Sequence, residues 1–139
     1  MRPKKVILLV NDNEQERSVL KFMLETNGYR VLTAHNGPLA IELFSETSVD
    51  LVMADHNLPQ LNGCQLIERL KDIASHVPML LVGDLQRISG QMHMADAVLA
   101  KKACSPLELL ERIKIMSARK RGPRKGTVRQ VPAELAIAS

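Results

Sequence analysis

The sequence predicts a doubly wound α/β domain, a five-stranded parallel sheet with helices on both faces. Three observations carry this prediction. Short, nearly uninterrupted apolar runs recur five times along the chain, each is followed by a stretch with helical spacing, and turn residues close almost every run. Runs of that length without polar alternation are the form strands take when a sheet is covered on both faces. Strand and helix in alternation imply parallel strands joined by right-handed crossovers.

Val6-Ile7-Leu8-Leu9-Val10 is fully apolar, which makes it a central strand. Asn13, with Glu16 three residues on, has the capping-box arrangement in an Asn variant. It opens a helix with Val19, Leu20, Met23 and Leu24 on its inner face, and Asn27-Gly28 ends that helix. Tyr29 to Ala34, carrying Arg30 and Thr33, reads as a shorter edge strand. Asn36-Gly37-Pro38 starts a second helix bearing Leu39, Ile41, Leu43 and Phe44. Asp50 to Ala54 is the third strand, and Asp55 falls where it ends. Pro59 and Gly63 break the chain before a helix over 61–74, with Leu66, Ile67 and Leu70 inward and Glu68, Arg69, Lys71 and Asp72 outward. Pro78 to Val82 is the fourth strand, closed by Gly83-Asp84. Residues 85–96 predict a weak helix at best, because Gly90 interrupts them and Met92, Met94 and Ala95 give little periodic signal. The fifth strand, 97–100, leads through Lys101-Lys102 to Ser105-Pro106, an N-cap and N1 pair. The final helix turns Leu107, Leu110, Ile113 and Met116 inward.

In an open parallel sheet, ligands sit outside the carboxyl ends of the strands, so Asp55 would meet solvent in a crevice. A lone Asp in such a place is more often a turn former or a helix cap. Asp55 has company, however. The first strand ends in Asn11-Asp12-Asn13 and the fifth in Lys101. Two carboxyl-bearing strand ends and a lysine at a third make a hard-cation and phosphate site, since carboxylate oxygens suit Mg²⁺ and an ammonium pairs with phosphate.

Val10-Asn11-Asp12-Asn13, the run from Asp50 through Pro59 with Gly63 following, and Ala100-Lys101 together resemble the receiver domain of two-component response regulators, over about Lys4 to Ser117. The resemblance implies the flavodoxin-like strand order 2-1-3-4-5, of which receivers are themselves a known example, with Asp12 and Asp55 facing one another at the switch point. It implies that Asp55 is the phosphoacceptor, a nucleophile toward a phosphoryl group carried by a sensor histidine kinase, a histidine phosphotransfer protein or a small donor. It further implies Mg²⁺ as cofactor, held by Asp12, Asp55 and the backbone carbonyl of Asn57, with Asn11 contributing weakly through water. Lys101 would pair with the acceptor carboxylate or a phosphoryl oxygen. Such a protein is a phosphoacceptor, not an enzyme, beyond catalysing its own phosphotransfer and dephosphorylation. The ordinary alternatives are that Asp12 caps a helix and that Lys101, beside Lys102, is a solvated flank. His35 and His56 read as polar loop residues.

Several residues depart from the receiver pattern. Asn11 replaces a first acid. Gly83 stands where receivers carry a Thr or Ser hydroxyl, and Asp84 where a small residue leaves access to the site. Val98 replaces an aromatic switch residue, Lys102 a proline, and the span from Gly83 to Lys101 is short, so the fourth helix should be stunted. A receiver with an atypical switch is the leading reading. A pseudo-receiver, an interaction module never phosphorylated in the cell, is the alternative. A Mg²⁺-dependent phosphohydrolase is disfavoured, because it would want an Asp two residues beyond the nucleophile, where Asn57 stands.

Net charge is +4, from 19 basic and 15 acidic residues. Arg119, Lys120, Arg121, Arg124, Lys125 and Arg129 face only Glu134 in 119–139, which leaves 13 basic and 14 acidic residues over 1–118. The expected organisation is a receiver over 1–118 and a basic, unstructured tail over 119–139. Binding of nucleic acid through this tail is the less favoured reading, and the absence of Trp and scarcity of aromatics disfavour a base-stacking module. Cys64 and Cys104 lack metal-ligand spacing and read as free thiols in a reducing compartment. The apolar run after Met1-Arg2-Pro3-Lys4-Lys5 is too short for a signal peptide and no segment approaches transmembrane length, so a cytoplasmic protein without membrane contact is expected. An unnamed downstream protein is the further expected partner. Receivers often pair through their fourth-to-fifth-helix face, which is altered here, so a homodimer is left open.

Overall fold

Each apolar run becomes a strand and each periodic stretch a helix. The chain runs β1 (Val6–Val10), α1 (Glu14–Thr26), β2 (Arg30–Ala34), α2 (Gly37–Glu46), β3 (Leu51–Asp55), α3 (Gly63–Ile73), β4 (Met79–Gly83), α4 (Leu85–Ser89), β5 (Ala97–Ala100) and α5 (Pro106–Ala118). The structure is a computed structural model that describes residues 4–89 and 93–118. Expectations for Gly90, Met92 and the basic segment 119–139 lie outside the described residues.

All strand pairs are parallel, in the order β2-β1-β3-β4-β5. β2 is the edge and β1 lies inside the sheet, as their compositions predict. Val10 stands opposite both Ala34 and Ala54, Asp55 opposite Val82, and Gly83 opposite Ala100. The carboxyl ends of β1, β3, β4 and β5 therefore converge on one edge.

Alternation along the apolar strands splits the core in two. On one face Leu8, Val10, Val52, Ala54, Met79 and Leu81 pack against Ala40 and Phe44 of α2 and Leu66, Ile67 and Leu70 of α3. On the other, Ile7, Leu9, Leu51, Met53 and Leu80 pack against Leu24 of α1 and Leu109, Ile113 and Met116 of α5.

Four expectations need correction. Val19 and Leu107 were expected inward but are 67% and 71% exposed; α1 buries Leu24, and α5 buries Leu109 in place of Leu107. Lys71, expected outward, is buried. Its Nζ donates to the carbonyls of Ser75 at 3.1 Å and Val77 at 2.9 Å and pairs with Asp96 Oδ2 at 2.8 Å. Because Asp96 also accepts the Met79 amide at 2.8 Å, the ammonium ties the end of α3 to the start of β4 and the approach to β5. Finally, the Asn13 capping box is half made. Asn13 Oδ1 accepts the Glu16 amide at 2.9 Å, but the Asn13 amide donates to Asn11 Oδ1 at 2.8 Å and not to Glu16. A complete box caps α3 instead, between Asn62 and Gln65.

Candidate functional site

Asp55 ends β3 at the centre of the convergent edge, and only 5% of its surface is exposed. The chain beyond it is fixed by close packing. Gly63 donates to the His56 carbonyl at 2.9 Å, and a Cβ on Gly63 would lie 2.7 Å from the Asp55 carbonyl oxygen and 2.8 Å from His56 Cα. Only glycine fits that approach. Leu61 donates to the Pro59 carbonyl at 2.7 Å across Gln60, whose φ of 71° makes this a strained γ-turn.

Among the described residues, two groups hold the Asp55 carboxylate. The Asn57 amide donates to Oδ1 at 3.2 Å, and Lys101 Nζ lies 2.7 Å from Oδ2. Lys101 follows β5, its backbone amide anchored to the Gly83 carbonyl at 3.0 Å. The same ammonium lies 2.9 Å from Glu16 Oε1 on α1. Glu16 in turn accepts Asn11 Nδ2 at 3.1 Å. Asn11 is buried, and its backbone carbonyl accepts Arg17 Nη1 at 2.9 Å.

The charges respond accordingly. Its hydrogen bond to Lys101, then that to Asn11, holds the Glu16 carboxyl below its ordinary value of 4.5, against the upward push of partial burial. For Lys101, partial burial disfavours the charged form, but the hydrogen bonds to Asp55 and Glu16 together outweigh it and raise the group above 10.5. Burial pushes both thiols, Cys64 and Cys104, upward, which favours their protonated form.

The sequence reading missed Glu16, Arg17 and His56 at this site. The signal for Glu16 was its place one turn into α1, beside a strand end lacking one acid. His56 lies in the loop after β3, as expected, but it does not face solvent. It is buried, its amide donates to the Val82 carbonyl at 2.8 Å, and its Cβ lies 2.8 Å from where a Cβ on Gly83 would stand. Asp12 and Asn57 are exposed at the rim. Asp84 is exposed too, and its carboxylate accepts the Gln86 amide at 2.9 Å, turned toward its own short helix. A cleft of about 920 Å³ opens between α1 and α5, floored by Leu9, Met53 and Val82, with Asp55, Glu16 and Lys101 at its polar end.

The arrangement is a carboxylate and an ammonium at the switch point of a parallel sheet. The sequence profile of the response regulator receiver domain matches residues 7–114. The chain belongs to the receiver domain family. Among relatives, the transcriptional regulatory protein CpxR of Escherichia coli K12 is 32% identical over 117 residues, covering 81% of this chain and 49% of CpxR. The autoinducer 1 sensor kinase/phosphatase LuxN of Vibrio harveyi is 32% identical over 74 residues, covering 53% of this chain and 9% of LuxN. This chain thus spans about half of CpxR and a small part of LuxN. The crystal structure of the response regulator TrrA from Thermotoga maritima, in complex with Mg²⁺-BeF, superposes with a TM-score of 0.74 at 27% identity, covering 81% of this chain and 98% of that one. The protein is therefore a receiver domain of two-component signalling, a class of phosphoacceptors that interact with histidine kinases and are generally not enzymes.

The receiver's oxygen donors suit Mg²⁺. Among the described residues no three His, Cys, Asp or Glu side chains gather into a metal cage. Mg²⁺ needs no cage, since it keeps several waters and takes one or two carboxylates. The β1–β3 register, Val10 opposite Ala54, brings the segment holding Asp12 to the same edge as Asp55. No helix among the described residues is long and apolar enough to cross a membrane.

Proposed function

We propose that this receiver accepts a phosphoryl group on Asp55 from the phosphohistidine of a sensor histidine kinase or a histidine phosphotransfer protein. It then serves as a phosphate sink, a relay intermediate or a regulator acting on a downstream protein through an unconventional face. The observation that carries this reading is the ion pair between the buried Asp55 carboxylate and Lys101, 2.7 Å apart at the convergent strand ends.

In the transfer, a carboxylate oxygen forms a bond to phosphorus as the phosphorus–nitrogen bond breaks. The electron pair stays on the imidazole nitrogen, which takes up a proton from solvent. Oδ1, holding one amide contact at 3.2 Å, is less committed than Oδ2 and is the freer nucleophile. Lys101 keeps its proton throughout and has only to shift from carboxylate to phosphoryl oxygen. Asp12, Asp55 and the Asn57 carbonyl would hold Mg²⁺, which supplies neutralisation of the charge on the transferring phosphoryl oxygens.

We assign the receiver to 1–118, in a cytoplasmic setting, and leave the basic segment 119–139 as a tail outside it. The second reading, an unphosphorylated pseudo-receiver, is favoured by one observation: Gly83 brings no hydroxyl to the acceptor, and the Cβ of His56 closes on the space where a side chain would stand. Phosphoryl uptake from a small acyl phosphate, with Asp55→Ala as control, separates the two.

A further inference from the structure

At the acceptor edge residue 11 is an amide, Asn11, and a carboxylate comes there from α1 as Glu16. Glu16 occupies the N3 position of α1, where a capping-box acid would fold back onto the Asn13 amide. That amide is already taken by Asn11 Oδ1 at 2.8 Å. Asn11 Nδ2 then donates to Glu16 Oε1 at 3.1 Å, and the freed carboxylate reaches Lys101 at 2.9 Å. An Asp at position 11 could accept the Asn13 amide equally well, but it could not donate to Glu16 and would repel it. Asn11 and Glu16 are thus a matched amide and carboxylate, with the acid on the helix and not on the strand.

We propose that Glu16 is a positioning residue that supplies the anionic charge residue 11 lacks, holding Lys101 against Asp55 and adding its field to the Mg²⁺ site beside it. Lys101 lies between the two carboxylates, 2.7 Å from Asp55 and 2.9 Å from Glu16, so its place depends on both. Without Glu16, one unit of negative charge disappears from an edge that must attract a divalent cation. The inference rests on the reading of Asp55 and Asp12 as the acceptor and metal site.

The test exchanges the two side chains. The full chain, Glu16→Gln and the double variant Asn11→Asp/Glu16→Gln are titrated with Mg²⁺, followed through the amide NMR shifts of Asp12 and Asn57. Phosphoryl uptake from acetyl phosphate is measured in parallel by intact mass. Glu16→Gln should raise the Mg²⁺ dissociation constant at least about threefold, as a screened single charge near a divalent ion would. The double variant, with acid and amide exchanged, should return to within about twofold of the parent, a recovery that a purely structural role for Glu16 would not produce. Parent binding that Glu16→Gln leaves unchanged, or a loss the exchange does not recover, overturns the role of Glu16 alone. A parent chain that neither binds Mg²⁺ nor gains a phosphoryl group overturns the underlying reading, and this inference with it.

Discussion

Adding one methyl group at Gly83 should destabilise the domain, although Ala is normally a gain over Gly in a strand. A Cβ there would stand 2.8 Å from His56 Cβ and 3.2 Å from Ile88 Cδ1. Carbon atoms are comfortable at about 3.5–4.0 Å, so the end of β3 or of β4 must give by several tenths of an ångström. Overpacking of this kind costs about 1–3 kcal/mol. Lower unfolded-chain entropy offsets about 0.4–1 kcal/mol, for a net loss of about 1–2 kcal/mol. With a urea m-value of about 1–2 kcal/mol/M, the far-UV circular dichroism midpoint should fall by about 0.5–2 M. Removing the colliding atom with His56→Gly is costly alone, yet in the Gly83→Ala background it should cost less by at least about 0.5 kcal/mol, as neighbouring sites do. If Gly83→Ala matches the parent protein, or if the two changes simply add, the packing argument is refuted. A Thr at position 83 would meet the same atom and could not be seated without moving His56.

Asp96→Ala leaves Lys71, whose side chain is 8% exposed, without its carboxylate and strips the Met79 amide of its acceptor. Breaking a buried pair costs about 3–5 kcal/mol; because Asp96 is one-third exposed and two carbonyls still hold Lys71, about 2–3 kcal/mol is expected by urea unfolding. Lys71→Met should cost clearly less, and the reverse order would contradict the reading. Gly63→Ala would set a Cβ 2.7 Å from the Asp55 carbonyl, a clash with backbone that no rotamer relieves, and should cost more than about 2 kcal/mol by the same assay. Glu16 has a folded-state pKa below its ordinary 4.5, so the stability it adds is fully present above pH 4.5 and is lost as pH falls through the lowered value. The stability difference between parent and Glu16→Gln should therefore shrink as pH falls below 4.5; a difference that stays constant to pH 3 would count against this pairing.

The doubly wound parallel sheet was legible because apolar runs and helices alternate, the strand order followed from the receiver resemblance, and β1 and β5 begin and end where composition says. β3 and β4 run one residue later than read, since their bounds follow pairing with neighbours more than hydropathy. Helix faces were only partly legible. Leu107 and Leu109 both suit an amphipathic α5, and which is buried depends on how the helix is rolled against Leu9 and Met53. Lys71 could not be read as buried, because its acceptors are two carbonyls of the following loop and a carboxylate at residue 96, none of which periodicity can see. The edge shows the same division. Topology decides which strand ends meet, whereas Glu16 reaches Lys101 only because Asn11 has claimed the amide that Glu16 would otherwise cap. The burial of His56 in the loop after β3 was illegible for a similar reason: Gly83, twenty-seven positions on, makes the space it fills.

The most direct test of the central claim is intact mass after incubation of the full chain with acetyl phosphate and Mg²⁺, beside Asp55→Ala. The parent should gain one phosphoryl group, absent from Asp55→Ala and lost when Mg²⁺ is chelated. A folded parent protein that gains no mass with excess donor, or an Asp55→Ala variant that gains as much, would contradict it.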